Sequence, residues 1–383
     1  MLNKYFMLKK TFLISAISFG VILLLWGIYF LSFQKPSVKD SSQDESETVQ
    51  EIAEPIIPKT GKLVAITEEA VLAPTINETE DGIKYYNKNT GQVFQVDFDG
   101  DGKETLSSKE LSGILNIFWS PDKTKVLSRN NVNGAERYGY YSYEEVMGGL
   151  LHENIQSLSW QNNRKIIYSF FNTVTKKDSL NMADYDGANW SKISDLDSSS
   201  IFLAPIPKTG LISFWNEPDA SQESKLSSVP TIGGEIKIIS SGNFGADYLW
   251  NEDGTLALSS HSDSKNGLKM QLGSFSADGS NYKDLDLPTF ISKCIWKNTQ
   301  SVYCALPSSI PENSVLPNSY YQGNFNTTDT FWEIDVLTGE KKRIVDLKEI
   351  NGQYDATNLF LSPDKGFLFF VNRTDEKLYR IEL

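Results

Sequence analysis

The chain has 383 residues, with 36 Lys and Arg against 49 Asp and Glu, so its formal net charge is −13. An acidic protein of this kind has too few cationic side chains to release counterions from nucleic acid or to bind an anionic membrane surface. With two histidines and two cysteines, the sequence also offers no multi-histidine metal site.

The N-terminus is predicted to anchor the chain in a membrane. Residues 1–10 contain Lys4, Lys9 and Lys10, and residues 11–33 form an uncharged apolar run. As a helix this run would span roughly 34 Å, enough to cross a bilayer core of about 30 Å. The lysines indicate a cytoplasmic tail and place everything after residue 33 outside the cytoplasm, as for a signal anchor. The alternative is a cleaved signal peptide.

Residues 34–60 are rich in Ser, Asp, Glu and Pro. Such a segment buries too little apolar surface to offset the entropy of ordering it. We therefore predict a flexible acidic linker between the membrane helix and the rest of the chain.

Residues 61–383 contain a repeated sequence pattern. In each copy an apolar strand ends in Trp or Leu, a turn follows, and a second apolar strand begins. The copies lie near Leu72, Trp119, Trp160, Leu203, Trp250, Trp296 and Leu361. Their spacing is typical of stacked units of four short strands. The sequence therefore predicts an all-β fold, a seven-bladed β-propeller of four-stranded blades.

The residues at the turns of the repeat are ones that favour β-turns. In Trp119-Ser-Pro-Asp122 and Leu361-Ser-Pro-Asp364, Ser opens the turn, Pro sets φ at the next position and Asp fits the third. The last unit ends after three strands, whereas the strand within residues 61–67 belongs to no unit. We expect this strand to complete the last blade and so remove an exposed edge.

The Trp-Ser-Pro-Asp turn, followed by an apolar strand and later by a strand ending in Asp-x-Asp-Gly, resembles the WD40-like (PD40) repeat of TolB-type propellers over residues 62–383. This resemblance implies a propeller that serves mainly as a platform for protein interactions. TolB itself is soluble and has an extra N-terminal domain where this chain has the predicted anchor, so the role of TolB is not carried over.

Two long connections are predicted between second and third strands, at residues 216–230 and 307–330. The second contains Tyr320, Tyr321 and Phe325. Exposed tyrosines give a large contact area at low entropic cost, so these three residues are candidates for partner binding. The alternative is that they cap the end of the ring.

Cys294 and Cys304 are predicted to lie opposite each other on two paired strands. Such residues approach closely enough for a disulfide, which an extracytoplasmic compartment permits. The alternative is a pair of buried thiols.

Asp97, Asp99 and Asp101, followed by Gly102, resemble the start of a calcium-binding loop. The position that needs a bidentate Glu is Ser108, so the sequence favours an acidic solvated turn, and a calcium site is the alternative.

No catalytic motif is found, and His152 and His261 lie in different units, which disfavours a Ser-His-Asp site. We expect no cofactor and no enzymatic activity. The predicted function is that of a membrane-anchored extracytoplasmic scaffold that binds an envelope protein or peptide. The alternatives are a glycan-binding module and a hydrolase with paired carboxylates at the central channel.

Overall fold

The computed structural model describes residues 61–108 and 111–383. Within these ranges no helix is long and apolar enough to cross a membrane. The predicted cytoplasmic tail, membrane helix and linker, residues 1–10, 11–33 and 34–60, lie outside the described residues.

The described residues form an all-β fold, as predicted, in which every strand pairing is antiparallel. Each sheet follows the chain order from its first to its last strand, except the last sheet. The first three sheets consist of β2 (Val71–Ile76), β3 (Gly82–Asn87), β4 (Val93–Asp97) and β5 (Glu104–Ser107); β6 (Ile114–Trp119), β7 (Lys125–Val132), β8 (Ala135–Ser142) and β9 (Met147–Leu150); and β10 (Ile155–Trp160), β11 (Lys165–Asn172), β12 (Lys177–Asp184) and β13 (Ser191–Leu196).

The fourth sheet has seven strands because one long strand serves both of its halves. Residues 237–244 of this strand pair with the strand before it, and residues 244–250 pair with the strand after it. Gly242 and Gly245 have φ values of 91° and 59°, which only glycine adopts readily, so the strand can change direction there. The strands are β14 (Ile201–Pro205), β15 (Leu211–Asn216), β16 (Glu223–Pro230), β17 (Lys237–Trp250), β18 (Leu256–Ser262), β19 (Met270–Ser276) and β20 (Lys283–Asp284).

The last two sheets contain the C-terminal strands and β1. The first of them consists of β21 (Cys294–Trp296), β22 (Ser301–Pro307), β23 (Asp329–Asp335) and β24 (Lys341–Arg343). The second has the order β1 (Leu63–Ala65), β27 (Leu378–Glu382), β26 (Phe367–Asn372) and β25 (Ala356–Leu361). Short helical segments are α1 (Asn318–Tyr321) and two 3-10 turns at Ile291–Lys293 and Leu347–Glu349.

The pairing of β1 with β27 confirms that the strand within residues 61–67 completes the last sheet. The backbone N–H of Ile66 donates to the carbonyl of Leu378 at 2.8 Å, which extends this ladder. Apolar side chains of the last and first sheets, among them Phe369, Leu378 and Val71, form one buried cluster. The two ends of the described chain are thus joined in a single sheet, and that sheet packs against the first one.

First strands of neighbouring sheets contact one another around the ring, as β2 does with β6 and β25 does with β2. Their predicted turns have the expected geometry. Ser120 donates to the Asp122 carboxylate at 2.6 Å, and the Lys123 N–H donates to the Ser120 carbonyl at 2.9 Å. The same Ser–Asp hydrogen bond joins Ser362 and Asp364.

The connection predicted at residues 216–230 is shorter than expected. Glu223–Pro230 is strand β16, so the connection spans only residues 217–222. Leu226 and Val229 are fully buried in this strand. The serines between the apolar residues made the segment resemble a loop, whereas Ser227 and Ser228 are buried within the strand.

Candidate binding site at one end of the ring

Residues 308–328, here called the cap segment, connect β22 to β23 and lie over one end of the described ring. The N–H of Leu316 donates to the Gly267 carbonyl in the connection between β18 and β19, at 3.0 Å. The Asn318 side chain accepts from the Ala220 N–H at 2.8 Å and donates to Asp219 at 3.1 Å, in the connection between β15 and β16. The cap segment therefore reaches well beyond the sheet from which it starts.

Apolar contacts hold the underside of the cap segment. Tyr320 is 1% exposed and its ring stacks on Phe290 with a centroid distance of 4.2 Å. Leu316 is fully buried in the same cluster, and the half-buried Phe325 packs against it. Of the three aromatic residues proposed for binding, Tyr320 thus serves to cap the ring.

A buried network of charges lies beneath Tyr320. The Lys293 ammonium contacts Asp329 Oδ2 and Asp355 Oδ1, each at 2.6 Å, and all three side chains are fully buried. The Tyr320 hydroxyl donates to Asp355 Oδ1, also at 2.6 Å. Because these groups come from β23, from α1 and from the connections that lead into β21 and β25, the network joins the cap segment to two sheets.

The carboxylate of Asp355 receives further hydrogen bonds. The Thr327 N–H donates to Asp355 Oδ2 at 3.1 Å, and Arg373 lies 4.0 Å from the same oxygen while it donates to the Tyr320 carbonyl at 2.9 Å. The Arg373 guanidinium also lies over the Tyr320 ring, 4.4 Å from its centroid. The cap segment is thus fixed by directional contacts as well as by apolar burial.

Burial and charge pairing act in opposite directions on the two aspartates. Burial alone would raise the pKa of Asp355, but the charge of Lys293 and the donated hydrogen bonds outweigh it and hold this pKa below its usual range. Burial raises the pKa of Asp329, and Lys293 offsets only part of this effect. Burial, together with the neighbouring Asp355, also raises the pKa of Tyr320.

Tyr321, the next residue of the cap segment, is 39% exposed, and its ring centroid lies 6.0 Å from that of Phe290. Its hydroxyl donates to Asp247 on β17, which also accepts from the Trp215 indole at 3.0 Å. Burial raises the pKa of Asp247 to about 6, although these hydrogen bonds act against the shift. We call the exposed ring of Tyr321, together with the acid beneath it, the Tyr321 surface.

The predicted disulfide is confirmed. Cys294 and Cys304 are directly opposite each other on β21 and β22, with a Cα–Cα distance of 4.2 Å, and they are bonded. Cys294 follows Lys293 in the chain, so the disulfide fixes the strand that begins directly after the buried ammonium.

The three aspartates considered as alternative calcium ligands are not brought together. Asp97 Oδ1 accepts hydrogen bonds from the N–H groups of Asp99 and Asp101, at 2.9 and 2.8 Å, and the Asp99 carboxylate pairs with Arg380. Among residues 61–108 and 111–383, no three His, Cys, Asp or Glu side chains are placed to hold a metal ion. The structure thus places these aspartates in an acidic turn.

The two histidines lie in different sheets. His152 is exposed in the connection between β9 and β10, whereas the buried His261 on β18 is 3.1 Å from the Tyr282 hydroxyl.

Sequence reasoning missed the buried network of Lys293, Asp329 and Asp355, because no local motif joins residues so far apart in the chain. The available signal was the position of two aspartates: Asp329 directly follows the cap segment, and Asp355 directly precedes the last repeat.

No protein-family model matches the sequence, and no curated protein is significantly similar to it. Solved structures do share the fold. An oligogalacturonate lyase from Vibrio parahaemolyticus has a TM-score of 0.57 at 10% identity, covering 84% of this chain and 93% of that chain. The tricorn protease has a TM-score of 0.51 at 12% identity, covering 83% of this chain but only 34% of the protease. The chain thus corresponds to about a third of the length of that protein.

TolB from Acinetobacter baumannii also matches, with a TM-score of 0.41 at 14% identity over 58% of this chain and 55% of that chain. At these identities the similarity to known structures shows the β-propeller fold and nothing about activity.

Proposed function

We propose that this chain is a membrane-anchored extracytoplasmic propeller that acts as a non-catalytic scaffold for a protein or peptide of the cell envelope. The proposed anchor is the uncharged apolar run at residues 11–33, with the lysines before it on the cytoplasmic side. The disulfide between Cys294 and Cys304 is compatible with an oxidising compartment.

The proposed ring has seven blades. The seven-stranded sheet counts as two blades, in which β17 supplies the outer strand of one and the inner strand of the next. Its register shift between Phe244 and Asp247 supports this division. The five four-stranded sheets supply the other blades.

The Tyr321 surface is the observation that carries the proposed binding function. A buried charge network and the stacked Tyr320 hold the cap segment rigidly, so little conformational entropy would be lost when a partner binds Tyr321. Asp247, which lies beneath this ring, accepts from the Tyr321 hydroxyl and so helps to hold the ring in place.

A photo-crosslinking amino acid at position 321 of the full chain, in membranes of cells that naturally produce it, tests this proposal. The matched control is the same replacement of Tyr282, which is 48% exposed and lies outside the cap segment. We expect a discrete protein adduct at position 321 that is absent at position 282. Equal labelling at both positions, or none at 321, would contradict the proposed scaffold. A point replacement is preferable to deleting the cap segment, because deletion would expose Phe290.

A further inference from the structure

A cleft on the outer side of the ring lies between the second and third sheets, away from the Tyr321 surface. Its volume is about 660 Å³, which is within the usual range for small-molecule sites. One wall is formed by the end of β9 and the connection that follows it, and the other by β11, β12 and β13.

The cleft combines aromatic and polar side chains. Trp190 lines it with 65% of its surface exposed, and on the other side His152 packs edge-on against Phe170 with a centroid distance of 5.0 Å. Such an exposed Trp requires an explanation, because Trp side chains usually bury most of their area. A flat ring at the edge of a cleft suits a ligand with an apolar face.

Polar groups at the base of the cleft point to a ligand with hydrogen-bond donors. The Asp178 Oδ1 atom is buried and has no hydrogen-bond partner among the described residues. Asn181, which is 2% exposed, also lines the cleft, and its amide donates to the Ser179 hydroxyl at 3.1 Å. The Asp178 side chain as a whole is half-buried and lines the cleft, so a ligand hydroxyl can donate to the part of its carboxylate that stays accessible.

Among the described residues, the two neighbouring clefts have no buried carboxylate oxygen that lacks a hydrogen-bond partner. The cleft between the first and second sheets has a volume of about 530 Å³, and the one between the third and fourth about 390 Å³. Neither is lined, among the described residues, by a buried carboxylate oxygen without a partner. The combination is thus not a general consequence of sheet packing in this ring.

We propose that this cleft binds a neutral oligosaccharide, with one pyranose ring stacked on Trp190 and its hydroxyl groups bonded to Asp178 and Asn181. Pyranose rings present C–H groups on one face and hydroxyl groups around the edge, which match an aromatic surface beside carboxylate and amide groups. This site is separate from the Tyr321 surface, so either could exist without the other.

The direct test is isothermal titration calorimetry on the full chain, in a detergent without a sugar headgroup, with maltotetraose, cellotetraose and chitotetraose as probes. We expect at least one of these to bind, and Trp190→Ala and Asp178→Asn each to weaken binding by about tenfold or more. Asp178→Asn should leave the fold as stable as before, because the buried oxygen that it alters has no partner to lose.

The controls are Tyr321→Ala and Asp197→Asn, which change an exposed aromatic residue and an exposed acid outside the cleft. Both should bind the sugar like the unaltered chain. Binding of none of the three probes, or unchanged binding by the Trp190 and Asp178 variants, would overturn the proposal. A third outcome combines this test with the crosslinking experiment. If no sugar binds and the Trp190→Ala replacement abolishes the protein adduct formed at position 321, the cleft belongs to the binding site of the protein partner.

Discussion

At the scale of single residues, the repeated Trp gives the sequence period a physical cause. The indole N–H of Trp119 donates to the Ala73 carbonyl at 2.8 Å, and that of Trp160 donates to the Phe118 carbonyl at 2.8 Å. Trp296 donates to Leu249 at 3.1 Å in the same way. Trp119 and Trp160 therefore each bond their own sheet to the first strand of the preceding sheet, and Trp296 bonds its sheet to β17. Trp250 instead donates to the Ser213 hydroxyl on β15.

Replacing Trp160 by Phe should lower the free energy of unfolding by about 1–2 kcal/mol, because the half-buried Phe118 carbonyl loses this donor. Equilibrium urea unfolding measures this effect. Trp190→Phe is the control, since the exposed Trp190 has no such bond among the described residues. Equal effects of the two replacements would show that the indole hydrogen bond between sheets is unimportant.

Lys293→Met should destabilise the protein by about 3–5 kcal/mol, because it leaves Asp329 and Asp355 buried without their shared cation. The matched control is Lys192→Met, which removes an exposed pair with Asp195 and should cost less than about 1 kcal/mol. Adding Asp329→Asn and Asp355→Asn to Lys293→Met should restore part of the loss. No recovery in this triple variant would contradict the role assigned to the buried charges.

Asp247 should make stability depend on pH. Its pKa is raised from 3.8 to about 6 in the folded protein, so the folded state binds the proton more tightly than the unfolded state does. The stabilisation is present below pH 4 and is lost as the pH rises through 6, by up to about 3 kcal/mol. Asp247→Asn should therefore become more stable relative to the unaltered chain between pH 4 and pH 7. The same stability difference at both pH values, in urea unfolding, would refute this.

At the scale of elements, the cap segment and β17 fit together at one glycine. A Cβ added to Gly245 would lie 2.4 Å from Pro317 Cδ of the cap segment, and the φ of 59° already disfavours other residues. The cap segment therefore lies on a strand that has no side chain at the point of contact.

Gly245→Ala should destabilise the protein more than Gly242→Ala does, by at least about 1 kcal/mol. Gly242 is the appropriate control because it also has a positive φ, whereas a Cβ there would meet no atom within 4 Å. Thermal unfolding of both variants provides the comparison. An equal loss in both would mean that the close contact with Pro317 contributes nothing.

Sequence patterns predicted the elements whose signals are local, namely the Ser-Pro-Asp turns, the apolar strands and the paired cysteines. They missed β16, where Ser227 and Ser228 lie between the buried Leu226 and Val229. They also missed the long β17, because the outer strand of one unit continues into the inner strand of the next. The cap segment was recognised by its length and aromatic content, but the burial of Tyr320 depends on Phe290 and Asp355 from other parts of the chain.

At the scale of the whole ring, the described chain closes on itself through β1. Strands from its two ends share a sheet, and the first and last sheets share a buried cluster. The Tyr321 surface and the outer cleft both depend on sheets held in fixed positions. Loss of the closing strand should therefore weaken the entire ring and not only its ends, because the last sheet would be left with an exposed edge.

Deleting residues 61–67 from the full chain and following cooperative thermal unfolding tests this account most directly. A deletion of equal length in the predicted linker, residues 41–47, is the control. Closure by β1 predicts that the first deletion lowers the melting temperature by at least about 5 °C, or abolishes the transition, while the second leaves it unchanged. An unchanged melting temperature after deletion of residues 61–67 would contradict the closed ring.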